Sequence, residues 1–94
     1  VDACLPIIEA AVDWGADLLV VHHGLIWGGI RRVTGGLKVR LQVLLGHGLG
    51  LYGCHLPLDA HPRYGNNAGI LKGLGARRLR PFGSYHGRTI GFRG

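Results

Sequence analysis

Two short aliphatic runs limit the folds open to this chain more than any other feature. Asp17-Leu18-Leu19-Val20-Val21 shows no polar alternation, the pattern of a strand covered on both faces, and a second strand, Leu49 to Cys54, runs into His55. Each is reached through a segment of helical periodicity. Before the first run, Cys4, Leu5, Ile8, Ala11 and Val12 recur at three- and four-residue spacing, with Glu9 and Asp13 opposite. Asp2 is placed to cap that helix, Pro6 falls in its first turns, where a missing amide donor is tolerated, and Gly15 marks its end. Between the runs, Leu37, Leu41, Leu44 and Leu45 repeat with helical spacing until the Gly46 to Gly50 segment breaks the pattern. Strands joined through a helix run parallel, with a right-handed crossover.

Downstream, Asn66 or Asn67 can cap a short third helix through Ile70, Leu71 and Leu74, closed by Gly75. The last stretch, RRLRPFGSYHGRTIGFRG, reads as two short strands around Ser84 to Gly87, a hairpin. The fold class is therefore α/β: helix-strand-helix-strand-helix with parallel central strands and a carboxyl-terminal hairpin. The 94 residues suffice for a single α/β domain over 1–94 and exclude a second full one. With 47% hydrophobic and 17% charged residues the chain is expected to bury a core. It contains no methionine, so it is expected to be processed, trimmed or a fragment of a longer protein.

Cys4 and Cys54 lack CxxC spacing, which fits small buried thiols in a reducing, cytoplasmic setting. From Leu41 to Leu58 there is no Asp, Glu, Lys or Arg, but four glycines, a glutamine and two histidines interrupt the segment, so it reads as helix then strand and not as a membrane span. The net charge of +6 suits an anionic partner such as a nucleotide or nucleic acid, or else belongs to a piece cut from an acidic remainder.

The chemistry gathers at the strand ends. In open α/β sheets, ligands bind beyond the carboxyl ends of the strands. The first run ends in His22-His23 and the second in His55, with Asp59 four residues later in HLPLD. In a regular strand His22 and His23 would point to opposite faces, so both reach one site only if the backbone leaves the strand there, a departure that Gly24 eases. Pro57 biases Leu56 towards an extended conformation, which places His55 and Asp59 on a turning loop. Imidazoles with a carboxylate form a ligand set for divalent zinc, iron, manganese or nickel, and a bound ion activates water for hydrolysis. A histidine at a strand end is more often an ordinary hydrogen-bonded residue; it is the joint pattern of HH and HxxxD that raises metal binding. His47 and His61 read as loop residues and His86 as a turn residue.

Trp14 and Trp27 read as packing residues. Arg31, Arg32, Lys38 and Arg40 form a solvated face or guide an anionic substrate. Arg77, Arg78, Arg80, Arg88 and Arg93, interleaved with Phe82, Tyr85 and Phe92, superficially suggest a nucleic-acid surface, but no RNA-binding motif supports it.

GADLLVVHHGLIWGG, LYGCHLPLDAHPRYGNNAGI and PFGSYHGRTIGFRG together resemble the amino-terminal portion of the GTP cyclohydrolase 1 type 2 homologues, the NGG-one-interacting-factor-three-like dinuclear metal-centre proteins. The resemblance covers nearly the whole chain, and the joint occurrence of GAD-x-x-x-x-HH and H-x-x-LDA carries its specificity. It implies an α/β fold, two divalent metal ions per complete site inside a homohexamer, and a cytoplasmic setting. It makes His22 and His23 ligands, Asp59 a ligand able to bridge two ions, and His55 a residue lining the site. Family members complete that site with an HxxxE arrangement from a later region, and this chain contains no HxxxE, so it is read as supplying three or four ligands of a larger site.

Three readings follow. The leading one is a metal-dependent hydrolase of the GTP cyclohydrolase type acting on a nucleotide, with no Walker-type phosphate loop, so that arginines and loop amides would hold the phosphates. The second is a non-catalytic metal-binding assembly protein. The third is a basic nucleic-acid-binding module. Specific catalytic residues, the metal's identity and the substrate are not legible in the sequence.

Overall fold

In the computed structural model, which describes residues 1–94, the first helical periodicity becomes α1, Leu5–Asp13. Its cap is Cys4 and not Asp2; Cys4 makes no side-chain cap bond, and Pro6 sits in the first turn. Trp14 closes the helix, its amide donating to the Ala10 carbonyl, and Gly15 takes a left-handed φ of 74° that turns the chain into β1, Leu18–Val21. After the glycine-rich connection, α2 covers Gly35–Gly46 and leads into β2, Gly50–Gly53. The strands pair in parallel, Leu19 opposite Leu51 and Val21 opposite Gly53, as the helix-strand-helix-strand order requires. These elements form one compact unit, Val1–Cys54.

Its core is small. Ile8 and Ala11 of α1, Leu44 of α2 and Leu49 are buried together, and Val12, Ala16, Leu19, Leu25, Val43 and Leu51 pack around them. Both helices thus lie against the face of the sheet that carries Leu19 and Leu51. Strand side chains alternate, so Leu18, Val20 and Tyr52 project to the other face, where they are 56%, 60% and 55% exposed. The expectation of a first strand covered on both faces is corrected: within this unit one face is covered. Leu45 and Cys4 are exposed rather than packed, and Trp14, expected to pack, is 87% exposed because it lies past the end of α1. Arg40, expected on a solvated face, is half-buried, its guanidinium donating to the carbonyls of Gly36 (3.0 Å) and Ala3 (3.1 Å).

The second unit, His55–Gly94, holds α3 (Leu56–Asp59), α4 (Asn66–Gly73) and the hairpin β3 (Arg80–Tyr85) and β4 (Arg88–Arg93). Leu56–Asp59 is a helical turn and not the expected loop. Pro57 lies in its first turn, where the amide it lacks would have no intrahelical partner, so the proline starts the turn instead of preventing it. The cap of α4 is Gly65 and not an asparagine. A Cβ on Gly65 would fall 2.3 Å from the His61 carbonyl oxygen and 2.5 Å from that of Leu58, so only glycine fits. That frees the asparagine side chains for other bonds: Asn66 donates to Asp59 (2.9 Å) and Asn67 to the Ile90 carbonyl on β4 (2.8 Å). The hairpin turns through His86 and Gly87, both at positive φ (47° and 73°), the two-residue turn whose twist matches antiparallel strands. No helix is long and apolar enough to cross a membrane.

Candidate metal centre

The local fold explains how adjacent histidines come to share a side. β1 ends at Val21, and the amides of His22 and His23 both donate to the Val1 carbonyl at 3.0 Å. Two residues thus oppose one acceptor, a bulge-like arrangement that interrupts side-chain alternation. The rings end edge to face with centroids 4.7 Å apart, rather than on opposite faces of a strand. Gly24 then lets the chain turn away, and its backbone passes so close to β2 that a Cβ on Gly53 would meet the Gly24 Cα at 2.9 Å.

At the end of β2, the Cys54 amide donates to the Val21 carbonyl (2.9 Å), so the ladder continues to the residue before His55. The outcome is a group of three half-buried imidazoles, His22, His23 and His55, whose candidate ligand nitrogens all lie within 4.8 Å of one another. A tetrahedral ion with metal–nitrogen bonds of roughly 2.0–2.1 Å needs ligand atoms about 3.3 Å apart. Small side-chain rotations close that difference, and three neutral imidazoles are a borderline donor set suited to zinc, iron or nickel. The residues fit a metal ion.

Of the expected ligands, His22, His23 and His55 are brought together. Asp59 ends α3, half-buried, with one carboxylate oxygen accepting from Asn66 (2.9 Å). The remaining histidines serve local structure. His47 donates from Nδ1 to the Val43 carbonyl at the end of α2 (2.9 Å), and His61 Nδ1 accepts the amides of Tyr64 (3.0 Å) and Arg63 (3.3 Å). Two residues at the centre had other roles in the sequence reading. The Trp27 ring stands 6.1 Å from that of His23 and is 58% exposed, not packed. The carboxylate of Asp2 accepts from His23 Nδ1 at 2.5 Å. A helix-cap pattern hid Asp2, since only the tertiary pairing of residues 1–2 with 22–23 brings it to the ring.

A parallel α/β unit with imidazoles gathered past the carboxyl ends of its strands belongs to the class of proteins that place ligand chemistry at sheet ends, here with three side chains of a type able to hold a metal ion. More particularly, the chain belongs to the Duf34/NIF3 (NGG1p interacting factor 3) family, whose model matches residues 1–94. It is 52% identical over its whole length to the GTP cyclohydrolase 1 type 2 homolog of Treponema pallidum and 53% identical to that of Pyrococcus horikoshii. It spans 33% and 38% of those two proteins. Among solved structures, TTHA1606 from Thermus thermophilus superposes with a TM-score of 0.80 at 44% identity, over 87% of this chain and 34% of that one. Reduced HcgD from Methanocaldococcus jannaschii does so with a TM-score of 0.78 at 30% identity, over 86% of this chain and 32% of its own.

Proposed function

We propose that the chain forms part of a metal-dependent hydrolase resembling GTP cyclohydrolase 1 type 2, in which His22, His23, His55 and Asp59 hold divalent ions. The convergence of three imidazoles past the ends of two parallel strands carries this reading, and the names of the curated relatives favour a guanine nucleotide as substrate. Two ions at a complete site would supply Lewis acidity and an activated water. The chain's own residues supply the rest. The imidazoles of His22, His23 and His55 at the strand ends would hold the ions, and the Asp59 carboxylate would add an oxygen ligand. The exposed basic side chains Arg31, Arg32 and Lys38 attract the phosphates of an anionic substrate. We further expect a cytoplasmic homohexamer in the full-length protein, as the family resemblance implies.

The test is metal content per chain by elemental analysis of full-length protein, with His22→Ala and Asp59→Ala beside it, followed by GTP turnover. Stoichiometric metal in wild type that falls in both variants, with turnover abolished by chelation and restored by metal, is the expected result. Metal without turnover makes the protein a non-catalytic metal-binding assembly component. Absence of metal from the full-length protein overturns both.

A further inference from the structure

We propose that Asp2 is a positioning residue for His23, holding the imidazole so that Nε2 presents its lone pair to a metal ion; the assignment rests on the metal-binding reading above. A carboxylate only accepts hydrogen bonds, so its contact with His23 Nδ1 requires the proton on Nδ1. In the neutral ring the other nitrogen, Nε2, then keeps its lone pair. A ligand histidine held in this way has its tautomer and ring plane fixed before the metal arrives, and its basicity raised.

The carboxylate is itself held in place by its neighbours. Residues 1–3 run beside the end of β1: the Val1 carbonyl accepts both histidine amides, and Asp2 forms an isolated parallel bridge with His23. Ala3 is buried, and its carbonyl accepts from Arg40 of α2, whose guanidinium is braced on Gly36. Backbone contacts on both sides of Asp2 therefore fix where its side chain starts, and α1 makes no demand on it, because Cys4 is the cap. The pair remains partly open to solvent, the side chains being 42% and 65% exposed for His23 and Asp2. The effect therefore belongs near the lower end of the roughly 10–100-fold range for such partners.

The experiment is zinc affinity of the full-length protein by chelator competition for wild type, Asp2→Ala and Asp2→Asn. It is paired with nitrogen-15 NMR of labelled histidine in the metal-free proteins. Zinc binding weakens about tenfold in Asp2→Ala with the metal-free melting temperature little changed. Asp2→Asn keeps an acceptor oxygen and recovers part of the loss. His23 carries its proton on Nδ1 in wild type and loses that preference in Asp2→Ala. Zinc affinity of Asp2→Ala within twofold of wild type, or a wild-type His23 protonated on Nε2, overturns the assignment while leaving the metal reading intact. Should Asp2→Ala not fold, the wild-type NMR decides, and a His23 that carries its proton on Nε2 overturns the assignment. A wild type that binds no zinc or other divalent ion overturns the metal reading and this assignment together.

Discussion

At the scale of single residues, the candidate centre depends on positions where a side chain is absent as much as on the histidines. At the last pair of the parallel ladder, a methyl group on Gly53 would meet the main-chain atoms of Gly24, which cannot move without shifting its neighbour His23. Gly53→Ala should therefore cost roughly 1–3 kcal/mol in denaturant unfolding, the usual range for overpacking, and weaken zinc binding as well. Gly36→Ala is the control. A Cβ there meets nothing closer than the Arg40 side chain at 3.9 Å, so neither quantity should change much. The close approach of Gly24 and Gly53 was not legible in the sequence, where Gly24 reads as easing the departure from the first strand and Gly53 as part of the second. Close approach between segments is a tertiary property, and the chain order separates Gly24 from Gly53 by an entire helix and strand.

At the scale of elements, helical spacing and aliphatic runs located α1, β1, α2 and β2, because burial of one face imposes those periods directly. The helix caps do not follow from residue type alone. Asp2 and the asparagines at 66 and 67 have the chemistry of N-caps, yet their side chains bond to His23, Asp59 and the Ile90 carbonyl instead. Cys4 and Gly65 stand at the caps. Pro57 shows a related competition: a proline disfavours helix at the preceding residue but is tolerated in a first helical turn, and here it stands in that turn. The hairpin was legible as two short strands around Ser84 to Gly87 and offers a test. His86 occupies the left-handed region, which costs about 1–2 kcal/mol for most L-residues and less for asparagine. His86→Asn should raise the stability of the chain by up to about 1 kcal/mol by thermal unfolding. A fall in melting temperature would refute the strain argument.

At the scale of the whole molecule, the first unit rests on few buried groups, with Ile8 the one large side chain that is fully enclosed. Ile8→Ala should cost about 2–5 kcal/mol by denaturant titration, a large fraction of what a small domain has. A ligand bound only by the folded state adds stability by mass action, about 2.7 kcal/mol at a hundredfold excess over its dissociation constant. Removing metal from the full-length protein should accordingly lower its melting temperature, and His22→Ala should abolish that dependence. An unchanged melting curve on chelation would count against a bound ion. The α/β order, the parallel pairing and the histidines at both strand ends are written in the linear chain, because periodicity and connection length follow from local chemistry. Three features arise only on folding: His22 and His23 share a side, one face of the sheet stays uncovered within its unit, and Asp2 meets a histidine. Each of these depends on which distant backbone lies alongside, which no spacing along the chain encodes.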